Sequence, residues 1–112
     1  LQETDMPEIG KQAVTQITVL ETEPGKQDEL LKVLKERARF MATQPGFVSI
    51  SLHESLDGAK IVNYVQWSSR ELLEKAHHSP EFREKWPQVS KLADTAQPNL
   101  YKVVHVEEAS SR

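Results

Sequence analysis

Residues 47–67 read FVSISLHESLDGAKIVNYVQW, and this stretch decides the fold. Two runs, 47–55 and 60–67, are rich in Val, Ile, Tyr and Trp and alternate apolar with polar residues, the period-two signature of strands. Leu56-Asp57-Gly58 between them is a hairpin signal. The register of this hairpin determines which side chains meet. A two-residue Asp57-Gly58 loop would pair Leu56 with Ala59 and put Asn63 and Trp67 on the face of Val48, Ile50 and Leu52. A three-residue loop, a type I turn ending in a left-handed Gly58, would pair Ser55 with Ala59 and shift every other pair by one. The three-residue loop is favoured, because a type I′ turn would force Asp57 itself to positive φ. One face then carries Phe47, Ser49, Ser51, His53, Ile61, Asn63, Val65 and Trp67. The other carries Val48, Ile50, Leu52, Val62 and Tyr64.

Upstream, residues 26–43 hold no Gly or Pro and place Leu30, Leu34, Ala38 and Met41 at helical spacing, with charges on the opposite face. Pro45 and Gly46 stop that helix. Before it, residues 13–20 (AVTQITVL) predict a strand that ends at Glu23-Pro24-Gly25. Downstream of the hairpin, Ser68 followed by Glu71 is a capping-box pattern opening a helix over residues 70–78. Ser79-Pro80 starts a shorter helix, with a further turn through residue 93. Gln97-Pro98-Asn99 reads as a loop, and residues 101–107 (YKVVHVE) as the last strand. The order β-α-β-β-α-β is the ferredoxin-like split arrangement, an α+β fold with a four-stranded antiparallel sheet. Residues 1–12 and 108–112 read as polar tails flanking one domain, residues 13–107.

The bulk composition narrows the function. The 112 residues hold no cysteine, which excludes disulfides, thiolate nucleophiles and Cys-ligated metal sites and fits a reducing, cytoplasmic setting. Fourteen basic and 17 acidic residues are interspersed, for a net charge of −3, so no nucleic-acid footprint stands out. No apolar run suits a membrane span. Residues 1–12 lack the pattern of an intact signal peptide, and Met6 lies close to a plausible natural start.

In this topology the helices cover one sheet face, so the other apolar face needs a partner, and a homodimer through the sheet is the expected solution. The mixed face has the composition of a small-molecule pocket. Asn63 is unusual in mid-strand and is either a structural amide or a ligand group. Trp67 is either core or an indole donor aimed at a ligand oxygen. His53 is either a surface imidazole or a base. Phe40, Phe47, Ser51, Leu73, Phe82 and Trp86 are the candidate lining. His77 and His78 are adjacent, so they diverge on a helix and do not share a metal. There is no G-x-S-x-G, phosphate-cradling loop or dinucleotide fingerprint.

The run Val62-Asn63-Tyr64-Val65-Gln66-Trp67-Ser68-Ser69-Arg70-Glu71 resembles the antibiotic biosynthesis monooxygenase family, whose third strand commonly reads N-Y-x-x-W followed by S-x-E. Pro45-Gly46-Phe47 and Ser79-Pro80-Glu81-Phe82 extend the likeness across residues 13–107. The resemblance implies a dimeric α+β barrel and a monooxygenase that oxidises a small aromatic, quinol- or anthrone-like substrate with molecular oxygen, without flavin, haem or metal. It implies that Asn63 and Trp67 assist the reaction and that His53 lines the same pocket. It departs at Leu72-Leu73, where anthrone-oxidising members carry a tyrosine. Haem-degrading members place an iron-ligating histidine where this chain has Trp86. A non-catalytic small-molecule-binding or interaction dimer, and a signal-molecule-processing enzyme, are the alternatives.

Overall fold

A computed structural model describes residues 13–110 of the chain. The tail expected over residues 1–12 lies outside them, as do residues 111 and 112. The elements run β1 (Val14–Glu21), α1 (Gln27–Met41), β2 (Phe47–Glu54), β3 (Lys60–Trp67), α2 (Arg70–His77), α3 (Pro80–Glu84), α4 (Trp86–Leu92) and β4 (Thr95–Lys102). The strands form one four-stranded sheet in the order β2-β3-β1-β4, with every neighbouring pair antiparallel. This is the ferredoxin-like α+β fold expected from the element order.

Side chains of β1 and β3 alternate cleanly across the sheet. Leu20 sits opposite Ile61, Gln16 opposite Val65 and Thr18 opposite Asn63, and all six face the helices. Leu20 and Ile61 join Leu30, Leu34 and Val89 in one buried cluster. Val65 and Trp67 join Met41, Leu73 and Ala76 in a second. Removing a fully buried Leu from water contributes about 2 kcal/mol, so Leu20, Leu30 and Leu34 anchor α1 to the sheet.

The hairpin departs from the favoured register. Gly58 does adopt positive φ (+78°), and its N–H donates to the Ser55 carbonyl at 3.0 Å, as in a type I turn. However, Ser55 N–H pairs with the Lys60 carbonyl at 2.9 Å, so Ala59 also belongs to the loop. Two side chains hold it there. Asp57 Oδ1 accepts the Ala59 N–H at 3.0 Å, and Ser55 Oγ accepts the Lys60 N–H at 2.9 Å while donating to Asp57. These local bonds satisfy backbone donors that a shorter loop would commit to the ladder. They also hold the Asp57 carboxyl below the usual carboxylate range. The resulting register pairs Leu52 with Asn63, Ser51 with Tyr64 and His53 with Val62. Ile50 and Leu52 therefore face the helices, while Ser51 and His53 face away. An irregularity between Phe47 and Ser49 takes up one residue at Val48 and returns Phe47 to a position opposite Trp67.

The last strand also differs from expectation. β4 begins at Thr95 and includes Pro98, which lies opposite Thr18. Because β4 is an edge strand, a residue without an N–H is tolerated within it. The ladder ends where Val14 meets Lys102, and residues 103–107 carry no strand pairing. The cap of α2 is Ser69 rather than Ser68: its side chain accepts the Leu72 N–H at 3.2 Å. Ser79 caps α3, with Pro80 in its first turn, as the sequence predicts. Among the described residues no helix is long and apolar enough to cross a membrane.

Candidate active site

A hollow of about 260 Å³ opens between the two buried clusters, floored by the sheet and roofed by α1 and the segmented helices α2 to α4. Its floor comes from Gln16, Thr18, Ile50, Asn63, Val65 and Trp67, and its walls from Arg37, Met41, His77, Phe82 and Trp86. Three polar atoms of its lining residues are buried and make no hydrogen bond: Asn63 Oδ1, Trp67 Nε1 and Arg37 Nη2. Buried polar groups are nearly always paired, so three orphans around one cavity point to a ligand that brings their partners.

Asn63 and Trp67 reach this place because β3 alternates and β1 lies beside it in register. Trp67 is 0% exposed, held edge-on by Phe47 with ring centroids 5.4 Å apart. Since the oxygen and nitrogen of a carboxamide are nearly isosteric, Asn63 can present either an acceptor or an N–H to the hollow.

The walls form a continuous series of rings. The His77 imidazole stands edge-on to Trp67, with centroids 6.2 Å apart, and stacks on Phe82 at 4.6 Å and 28°. Arg37 Cζ lies 4.1 Å from the Phe82 centroid and 5.3 Å from that of Trp86. Arg37 Nη1 donates to the Phe82 carbonyl at 3.2 Å. Burial pushes the His77 pKa down to about 4, assisted by the nearby positive charges of Arg37 and His78, so the ring is neutral at pH 7. Burial also lowers the Arg37 pKa, although a guanidinium remains charged throughout the working range.

Of the residues singled out from sequence, Asn63, Trp67, Phe82 and Trp86 line the hollow. His53 and Ser51 do not. They sit on the reverse face, exposed, with Ser51 Oγ and His53 Nε2 2.9 Å apart. The four-residue loop is what puts them there. Phe47 and Leu73 pack around Trp67 in the second cluster, and Phe40 lies at a separate surface hollow beside Arg37 and Phe82. Sequence reasoning missed Arg37 and His77. Arg37 continues the stripe of Leu30, Leu34 and Met41 at spacings of four, three and four, and His77 lies four residues after the buried Leu73. That spacing was the available signal. No group of three or more His, Asp or Glu side chains suited to a metal ion occurs among the described residues.

The profile of the antibiotic biosynthesis monooxygenase family matches residues 13–85. Over 73 residues the chain is 37% identical to tetracenomycin-F1 monooxygenase of Streptomyces glaucescens; that stretch is 62% of each protein, so less than two thirds of the relative is spanned. Among solved structures, SnoaB, a cofactor-independent oxygenase from Streptomyces nogalater, superposes with a TM-score of 0.79 at 25% identity over 85% of this chain and 96% of that one. Rv0793 from Mycobacterium tuberculosis shares the fold, with a TM-score of 0.72 at 24% identity over 88% and 99% of the two chains.

Proposed function

The chain belongs to the antibiotic biosynthesis monooxygenase family, and from that premise we propose that it oxidises a small aromatic, quinol- or anthrone-like compound with molecular oxygen and no cofactor. The supporting observation is the pair of unpartnered polar groups, Asn63 Oδ1 and Trp67 Nε1, buried on the floor of one hollow. An activated ring methylene gives up a proton, and the resulting anion passes electrons to oxygen. Loss of water from the oxygenated carbon leaves a ring carbonyl. One methylene and one dioxygen are consumed, and one carbonyl and one water are formed. One oxygen atom ends as the carbonyl oxygen on the ring carbon, and the other leaves as water with both methylene hydrogens.

The anion carries its charge on a ring oxygen. The indole N–H of Trp67 and the N–H of the Asn63 amide would donate to that oxygen, in a site dry enough to strengthen both bonds. His77, rather than His53, is placed to accept the proton. Burial holds it neutral at pH 7, the form that accepts a proton. Because a pKa of about 4 makes it a weak base, the transfer would depend on stabilisation of the anion by Asn63 and Trp67. Trp86 would hold the flat substrate by stacking, and Phe82, whose ring carries His77 and Arg37, would meet it with an edge.

The same proposal has the chain acting as a homodimer in the cytoplasm. The helices leave the reverse sheet face to Ile17, Val19, Val62 and Tyr64, all half-buried, and Val104 and Val106 beyond β4 are exposed. A second copy would cover this apolar surface.

An oxygen electrode with an anthrone as substrate tests the chemistry. Asn63→Ala is expected to slow oxygen uptake on the order of a hundredfold. A purified wild-type protein that consumes no oxygen with anthrones or quinols would remove the oxygenase assignment, and an unaffected variant would remove Asn63 from it.

A further inference from the structure

Oxygen chemistry at Asn63 and Trp67 gives no work to the guanidinium of Arg37. This side chain is 9% exposed. One nitrogen, Nη1, is satisfied by the Phe82 carbonyl, but Nη2 is buried with no hydrogen-bond partner. Among the described residues no carboxylate pairs with it. An unpaired charge taken out of water is costly, and an apolar side chain of similar volume would pack against Phe82 without that cost. A lone cation held on the wall of a cavity fits a site whose counter-ion arrives with the ligand.

We propose that Arg37 selects the substrate: the hollow takes a planar aromatic carboxylic acid, with its reacting ring against Asn63 and Trp67 and its carboxylate on Arg37 Nη2. Arg37 and Trp67 are the two ends of one series of contacts around the hollow: from Trp67, the rings of His77 and Phe82 come before the guanidinium, at successive separations of 6.2, 4.6 and 4.1 Å. The acid group is assigned to the Arg37 end of this series and the reacting carbon to the Trp67 end.

A carboxylate matches better than a phosphate. The site offers one cation, since His77 is uncharged at neutral pH, and a phosphate would bring close to two negative charges. A carboxylate is also flat, like the guanidinium fork and the Phe82 ring on which that fork lies.

This inference rests on the hollow being the ligand site, as in the function proposed above, but not on the use of oxygen. Anaerobic titration of the wild-type protein with anthraquinone-2-carboxylate and anthraquinone-2-carboxamide, followed by tryptophan fluorescence and calorimetry, tests it without turnover. The acid is expected to bind about tenfold more tightly than the amide or better. Arg37→Met should bind both with the affinity of the amide. Equal affinity of the wild type for the two probes, or a folded Arg37→Met that keeps the preference, would overturn the proposal. The wild-type comparison stands even where the variant does not fold. Acid preference without oxygen uptake would sink the oxygenase assignment alone, and oxygen uptake with equal binding would sink only the role of Arg37.

Discussion

The indole of Trp67 and the imidazole of His77 meet edge to face, with their planes at 80° and their centroids 6.2 Å apart. The contact ties the last residue of β3 to the last residue of α2, so a donor on the floor and a neutral base on the wall adjoin. Trp67→Phe keeps an aromatic ring there and removes the N–H. Because that N–H has no protein partner, its loss costs little stability, and the smaller ring should destabilise by about 1 kcal/mol. Oxygen uptake should fall about a hundredfold. Calorimetric melting alongside the oxygen electrode separates the two effects.

His77 makes stability depend on pH. Its folded pKa of about 4 lies below the ordinary 6.5. Between these values the unfolded chain binds a proton that the folded chain refuses, so stability falls as pH drops from about 6.5 to about 4 and the loss is complete below that. The total is on the order of 2 kcal/mol once partial solvent screening is allowed for. Denaturant midpoints measured across this window should slope in the wild type, and the contribution should vanish in His77→Gln.

Gly46 joins the roof to the sheet. It has φ of +87°, its carbonyl accepts the Ser68 N–H at 2.7 Å, and a Cβ there would come within 2.5 Å of the Leu72 side chain. Gly46→Ala combines left-handed strain with overpacking, for a loss of about 3 kcal/mol. Thermal melting should show it, and ligand affinity should fall as well, because Leu72 belongs to the helix that carries His77.

The register separates neighbours in β2. His53→Ala alters a side chain outside the hollow, so turnover per folded protein should stay within about twofold of the wild type. Leu52→Ala, one residue earlier, opposes Asn63 and packs on the first cluster. It should cost about 2 kcal/mol. Urea titration and steady-state rates distinguish them, and a His53→Ala variant without activity would return His53 to the chemistry.

The order of elements was legible in sequence because β3 and α1 carry strong periods, and Asn63 and Trp67 could be placed on one face of β3 from alternation alone. The face of β2 could not. It depends on Asp57 and Ser55 side chains capturing backbone donors and on the irregularity at Val48, and neither leaves a mark in hydrophobic periodicity. Pro98 read as a break because its tolerance in β4 depends on that strand lying at the sheet edge. Arg37 and His77 were obscured by their charge and polarity, although each occupies a position on an apolar stripe.

The roof of the hollow is built from short pieces, α2, α3 and α4, divided at Ser79-Pro80 and at Lys85. Phe82 and Trp86 project from these pieces, while the fully buried anchors Leu20, Leu30, Ile61 and Val89 form a nucleus of their own. Admission and folding are thus assigned to different side chains. A lineage could retailor the mouth at positions 82 and 86, widening or narrowing the range of molecules accepted, while inheriting the scaffold unchanged.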